Sequence, residues 1–259
     1  MSDRTVIVTG ISGGLGSAIG ARFAAAGDVV YGWYNTGADR AEKIGREVKK
    51  SGGDLRVSRV DLRSADDVAA AVKAIEAARG EVQVLINNAA YRPIGNFLSL
   101  SEEEWSEVLS VNLLGAVRAS RAVLPGMVRR NFGRIINISG IDAIWGLGGR
   151  AHVAVSKAGL QGLTRALAVE YGHRGVTVNT LMLGSFETPR DPRLFPRWEE
   201  LRKFLVDKAV VGRQGKPSEV AEWCVILASE HAAFMTGQDV HLNGGAHPLT
   251  RIPTFDLDA

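Results

Sequence analysis

The sequence predicts an α/β domain built on a doubly wound parallel sheet of about seven strands, with helices on both faces. Three observations predict it. Short β-branched runs alternate with longer helical patterns along the whole chain. Several of those runs are apolar at consecutive positions, as strands covered on both faces are. A glycine-rich turn follows the first run and opens a helix. Strand–helix alternation implies right-handed crossovers and therefore parallel pairing. With 259 residues, 46% hydrophobic and 23% charged, the chain can bury a substantial core.

The strands read, in order, TVIVTG (5–10), DVVYGWY (28–34), LRVSRVDL (55–62), VQVLINN (82–88), GRIINIS (133–139), VTVNTL (176–181) and QDVHLN (238–243). Helical patterns fall between them. Ser64 and Ser101 are placed as N-caps, and SEEE sets a glutamate three residues after Ser101, the spacing of a capping box. The irregular stretch 184–204 holds three of the eight prolines before a helical run. A lid over a site, spanning about 184–208, and a plain surface excursion both fit it. One domain is expected over 1–245. A C-terminal tail, 246–259, remains as either an oligomer contact or a loose end. No internal repeat or low-complexity linker breaks this unit.

The net charge of +3 comes from basic residues scattered through the helices, which argues against a nucleic-acid face. The single cysteine, Cys224 in the apolar run WCVILA, excludes an internal disulfide and makes a metal site improbable, so none is expected. The first strand starts almost at once, and no run of 18 apolar residues occurs. A cytoplasmic protein with no membrane partner is the expectation.

The turn TGISGGLG (9–16) places Gly10, Gly14 and Gly16 where strand becomes helix. Small residues there let backbone approach a pyrophosphate, and the helix N-terminus offers free N–H groups to it. Alone this is a weak signal. VDL with Asp61, NNAA (87–90), SVNLLG (110–115), LGSFET (183–188) and MTGQDVHLNGG (235–245) strengthen it. This set, over residues 5 to about 245, resembles the short-chain dehydrogenase/reductases, and T-G-x3-G-x-G is that family's glycine spacing. The resemblance implies a Rossmann-type fold and a nicotinamide dinucleotide. It implies a cofactor surface made by Gly10, Ser12, Gly13, Gly14, Leu15, Gly16, Asn35, Thr36, Asp61, Leu62, Asn88, Ala89, Lys157 and Thr188. Asp61 would meet adenine and Thr188 the carboxamide. NNAA departs from the family's N-N-A-G at Ala90. No acid ends the second strand before Asp39, so NADP(H) is favoured over NAD(H), although Gly13 stands where NADP-preferring relatives often carry arginine.

The family's chemistry uses an asparagine, a serine, a tyrosine and a lysine. Asparagine and lysine match Asn112 and Lys157. The tyrosine position, four before Lys157 in AHVAVSKAGL, is Val153, and the serine position thirteen before it is Gly140. Only a one-residue shift in the loop would let Ser139 substitute. The resemblance therefore implies an atypical member lacking the catalytic tyrosine and serine. Among proton sources near the gap, His152 is either a catalytic group or an interface histidine. Asp142 is either a base, a partner for a substrate cation, or a loop cap. Tyr91 is first a pocket wall and second a donor. Arg150 either clamps an anion or is solvated. Trp145 gives the pocket an aromatic edge. The family's 2,4-dienoyl-CoA reductases are similar in lacking this tyrosine while keeping the lysine and a nearby histidine. Two functions follow. One is an NAD(P)(H)-dependent oxidoreductase with an altered proton path, acting on a carbonyl, alcohol or enone-type small molecule. The other is an inactive partner subunit that binds cofactor and pairs with an active relative. A homotetramer or dimer is implied, with a hetero-oligomer under the second reading.

Overall fold

The computed structural model describes residues 3–189 and 197–249. Seven parallel strands form one sheet in the order β3-β2-β1-β4-β5-β6-β7. They are β1 (Thr5–Thr9), β2 (Val29–Tyr34), β3 (Asp54–Arg59), β4 (Val84–Asn87), β5 (Gly133–Gly140), β6 (Val176–Leu183) and β7 (Asp239–Leu242). Every strand read from the sequence is present. β5 and β6 are buried almost throughout, as their continuous apolar runs require. β3, the edge strand, stops at Arg59, short of Asp61, with Ser58 and Arg59 both exposed.

Helices α1 (Gly14–Ala25), α2 (Ala38–Lys50), α3 (Ala65–Arg79), α4 (Glu102–Leu109), α5 (Gly115–Arg130), α6 (Asp142–Trp145), α7 (Ala151–Tyr171), α8 (Trp198–Lys208) and α9 (Pro217–Leu227) complete the order. One face is covered by α1, α2 and α9, with Ile19, Phe23, Val48 and Val220 in its core. The other is covered by α3, α5 and α7, with Val72, Val123, Met127 and Ala168. Both expected N-caps form. The Ser64 hydroxyl accepts from Asp67 N–H at 3.1 Å, and Ser101 and Glu104 exchange bonds in a capping box. Cys224 is buried, and that burial pushes its thiol well above the usual range. Among the described residues no helix is long and apolar enough to cross a membrane, and none group as a metal site.

The expected lid falls partly on 190–196, and the tail partly on 250–259, both outside the described residues. Of the lid, α8 is described, and it buries none of its side chains.

Candidate functional site: a nucleotide cradle and a cationic cleft

Strand order reverses between β1 and β4, and ligand crevices in such sheets open at that switch, beyond the strand C-termini. Gly10 follows β1 there with φ +72°, and a Cβ on it would stand 2.8 Å from the Ala89 Cα. Gly16 is tighter still: a Cβ would lie 2.2 Å from the Gly10 carbonyl oxygen. Glycine is needed at both, and the chain stays thin where α1 begins. Gly13 caps α1 without any side-chain bond, so the N–H groups of the first turn face outward with the positive helix end. This cradle fits a pyrophosphate.

The remaining walls are hydrogen-bonded into place. The Thr9 hydroxyl accepts from the N–H groups of Asn88 and Ala89, both at 3.0 Å, and Asn88 Nδ2 donates to the Thr9 carbonyl at 2.9 Å. Ser12 Oγ donates to the Thr36 carbonyl at 3.0 Å, which brings Asn35 and Thr36 to the glycine turn. Thr188, after β6, returns to α1: a Cβ on Gly14 would meet its Cγ2 at 3.4 Å. Leu15 packs half-buried on the α1 side. Leu62 and Asp61 have partners within the chain. The Leu62 side chain turns into the core, where its Cβ lies 3.0 Å from a Cβ built on Gly115. Both Asp61 oxygens accept from Arg63, at 2.9 and 2.7 Å, and that guanidinium holds its carboxyl below the usual range.

The catalytic end is framed by α7 and the loops after β4 and β5. Asn112 sits in a widened π-helical turn, Ser110–Leu114, joining α4 to α5. Such turns rotate a side chain out of the regular register and concentrate at functional sites. Its amide grips the Tyr91 backbone on both sides: Oδ1 accepts from Tyr91 N–H at 2.7 Å, and Nδ2 donates to the Tyr91 carbonyl at 2.9 Å. Nδ2 also donates to Ser156 Oγ at 3.1 Å. Tyr91 itself is 44% exposed at the mouth.

Lys157 is buried, and its Nζ donates to the Ile138 carbonyl at 2.7 Å. Burial first, and then the charge of Arg92, lower it to about 7 against the opposing pull of Asp142. Val153, one turn earlier, is fully buried and has nothing to ionise. Gly140 ends β5 in roomy surroundings: a Cβ would meet the Leu183 carbonyl oxygen only at 3.5 Å. Ser139 does not face the same way. Its hydroxyl donates to the Lys157 carbonyl at 3.3 Å, as alternation along a strand requires.

Three expectations about proton sources and pocket walls are corrected. His152 does not point into the cleft. It is 0% exposed, with its ring 5.9 Å from that of Trp105 in α4, and neither nitrogen has a hydrogen-bond partner. Desolvation lowers its pKa, so it is held neutral. One residue off the face that carries Lys157 is enough to turn it toward α4. Arg150 is not solvated: it is buried, with its guanidinium 3.9 Å from the Asp142 carboxylate. Asp142 is not a continuation of β5. It opens the short helix α6, and its charge acts on Arg150 and Lys157. Trp145 closes the short helix α6, 39% exposed, with its Nε1 donating to His247 Nδ1 at 3.3 Å. Sequence reasoning passed over Arg92. Its signal was its place two residues after NNAA, at the end of a strand beside the switch point.

The comparisons with known proteins agree with this geometry. Residues 10–247 match the family model described as enoyl-(acyl carrier protein) reductase. The 3-oxoacyl-(acyl-carrier-protein) reductase FabG of Pseudomonas aeruginosa is 36% identical over 247 residues, 95% of this chain and 98% of the relative. The acetoacetyl-CoA reductase of Cupriavidus necator is 36% identical over 251 residues, 95% and 99% of the two chains. A crystal structure of a variant actinorhodin polyketide ketoreductase with NADPH superposes with a TM-score of 0.89 at 31% identity, covering 95% and 98%.

Proposed function

The chain belongs to the short-chain dehydrogenase/reductase family, and we propose that within it this protein is an NADP(H)-preferring oxidoreductase that moves its proton without the usual tyrosine. When bound, the nicotinamide supplies or accepts the hydride. The cradle of Gly10, Gly14 and Gly16 would hold its pyrophosphate, Asn88 the ribose side and Thr188 the carboxamide. NADP(H) is supported by the end of β2, where Asn35 and Thr36 stand in place of an acid that would repel a 2′-phosphate.

The observation that carries the altered proton path is the pair Val153 and Gly140, neither of which has a titratable atom beside Lys157. Lys157 is left as the group able to exchange a proton at neutral pH, because burial and the Arg92 charge bring it to about 7. His152 is assigned a packing role against Trp105, and Asp142 a tuning role through Arg150 and Lys157. Asn112 holds the loop that carries Tyr91. A conjugated or acidic small-molecule substrate suits such a site, since it asks less of an enzyme acid than a simple ketone does. The relatives, a 3-oxoacyl-(acyl-carrier-protein) reductase and an acetoacetyl-CoA reductase, support an oxo group as the hydride acceptor. A homotetramer or dimer is part of this reading. It rests on the apolar groove of about 460 Å³ between α5 and α7, lined by Val117, Leu124, Pro125, Leu163 and Leu167.

Hydride turnover on matched enones and ketones tests it, with NADPH and NADH binding measured first. Wild type is expected to reduce enones, with a rate that falls as pH rises through about 7, since the acid is protonated Lys157. The pair Gly140→Ser with Val153→Tyr is expected to gain ketone reduction, by roughly 10²–10⁴-fold. A wild type that binds NADPH but turns over nothing, while the restored pair does, would replace this reading with a cofactor-binding partner subunit. The paired loss of tyrosine and serine is what favours that second reading.

A further inference from the structure

A hollow of about 180 Å³ lies between α6, the end of α8 and the loop after β7. Its apolar walls include Ile141, Trp145, Phe186, Leu205, Ala209 and Val211. It adjoins the catalytic end through one carbonyl. A Cβ on Gly140 would stand 3.5 Å from the Leu183 oxygen, and Ile141 N–H donates to that same oxygen at 3.0 Å. Ser185, just after β6, lines the hollow, and Thr188 further along the same loop reaches the cradle at Gly14. Each polar side chain on the wall already has a partner. Ser185 Oγ accepts from Gln214 Nε2 at 2.8 Å, and Arg213 holds Glu219 through two bonds at 2.9 and 2.8 Å. Asn243 bonds the Gly245 N–H and the His247 carbonyl, both at 3.0 Å. Trp145 Nε1 is taken up by His247. α8 contributes Leu205 to the wall yet buries none of its side chains, so it covers the hollow without filling it.

We propose that this hollow seats a hydrocarbon tail on the substrate, so that the protein acts on an oxo or enone compound carrying a chain of roughly seven carbons. Leu205 and Trp145 set the length of that chain. The chemistry of the walls selects the occupant. A charged or hydrogen-bonding group would lose water there and find no free partner, whereas hydrocarbon gains by leaving water. The volume sets the size. An apolar cavity of about 150 Å³ holds one benzene, so the larger hollow here has room for roughly one carbon more. The position assigns the tail to the substrate, because the walls begin one residue beyond Gly140. The inference rests on the reading of this chain as an oxidoreductase, and binding, not turnover, tests it.

Calorimetric titration of methyl ketones, from butanone to 2-dodecanone, into the full chain with and without saturating NADP+ gives the test. In wild type the Kd is expected to fall by about fourfold for each added methylene, and to stop falling once the hollow is full. Leu205→Trp narrows the hollow and should move that break to shorter chains. Leu205→Ala widens it and should move the break to longer ones. Leu205 is only half-buried on a helix that buries none of its side chains, so both variants keep the fold, which circular dichroism confirms. A hydroxyl at the far end of the best ketone should weaken binding roughly tenfold, since no wall group is free to meet it. Affinity that ignores chain length, or a break that neither substitution moves, overturns the proposal. So does a length dependence that emerges only after residues 250–259 are removed, because the chain's own tail is then the occupant. The expected binding pattern without hydride transfer from NADPH upholds the hollow and sinks the oxidoreductase reading. Hydride transfer to ketones of every length, with no difference in binding, does the reverse.

Discussion

His152 brings two ring nitrogens into an apolar contact and satisfies neither. Burying an unpaired polar atom costs about 1–3 kcal/mol. His152→Phe is therefore expected to stabilise the protein by about 1 kcal/mol at pH 7, read from denaturant midpoints. The pH dependence has a definite sign. Burial holds the folded pKa below the ordinary imidazole value of about 6.5, so the unfolded chain binds the proton first. Stability should then fall as pH drops below about 6.5, and His152→Phe should fall less; an unchanged slope would show that another group carries it. Lys157 has the same direction of shift, from 10.5 to about 7. Between those values the unfolded chain holds the extra proton, so Lys157→Met should raise the melting temperature at neutral pH, with the gain fading toward pH 10. Neither burial was legible in the sequence. In the sequence His152 reads as a catalytic or an interface histidine, because only the packing of α4 on α7 shows its ring to be out of water.

The π-helical turn at Ser110–Leu114 exists to aim one amide. Asn112→Ala would strip both Tyr91 backbone groups and Ser156 of a partner at once. A loss of about 2–4 kcal/mol is expected, at about 1 kcal/mol per bond, with faster amide exchange at Tyr91. Retained protection at that amide would show that the clamp is dispensable. At the head of α1, Gly16→Ala drives a methyl into the Gly10 carbonyl and should abolish NADPH binding in a fluorescence titration even where the fold survives. Elements themselves were largely readable. Apolar runs located all seven strands, and Ser64 and Ser101 located two helix starts, since both signals are local. The widened turn was not, because SVNLLG has the same apolar spacing whether the helix closes on four residues or five.

Among the described residues, α5 and α7 keep apolar side chains around an open groove. Light scattering on a size-exclusion column should give a mass that is two or four times 27.7 kDa, and Leu163→Glu should reduce it. A monomeric wild type would remove the oligomer from the proposed function. Topology was legible at this scale because strand–helix alternation permits few parallel arrangements. The charge pattern of the cleft was not, since Arg92, Asp142, Arg150 and Lys157 come from separate stretches that only the folded sheet brings together. The glycine cradle hangs mainly from β1, while Gly140 and Val153 hang from β5 and α7. The two halves of the site can therefore drift independently. Substitution on β5 or at the head of α7 can therefore reshape the cleft while the turn after β1, and the close approaches its glycines allow, stay as they are.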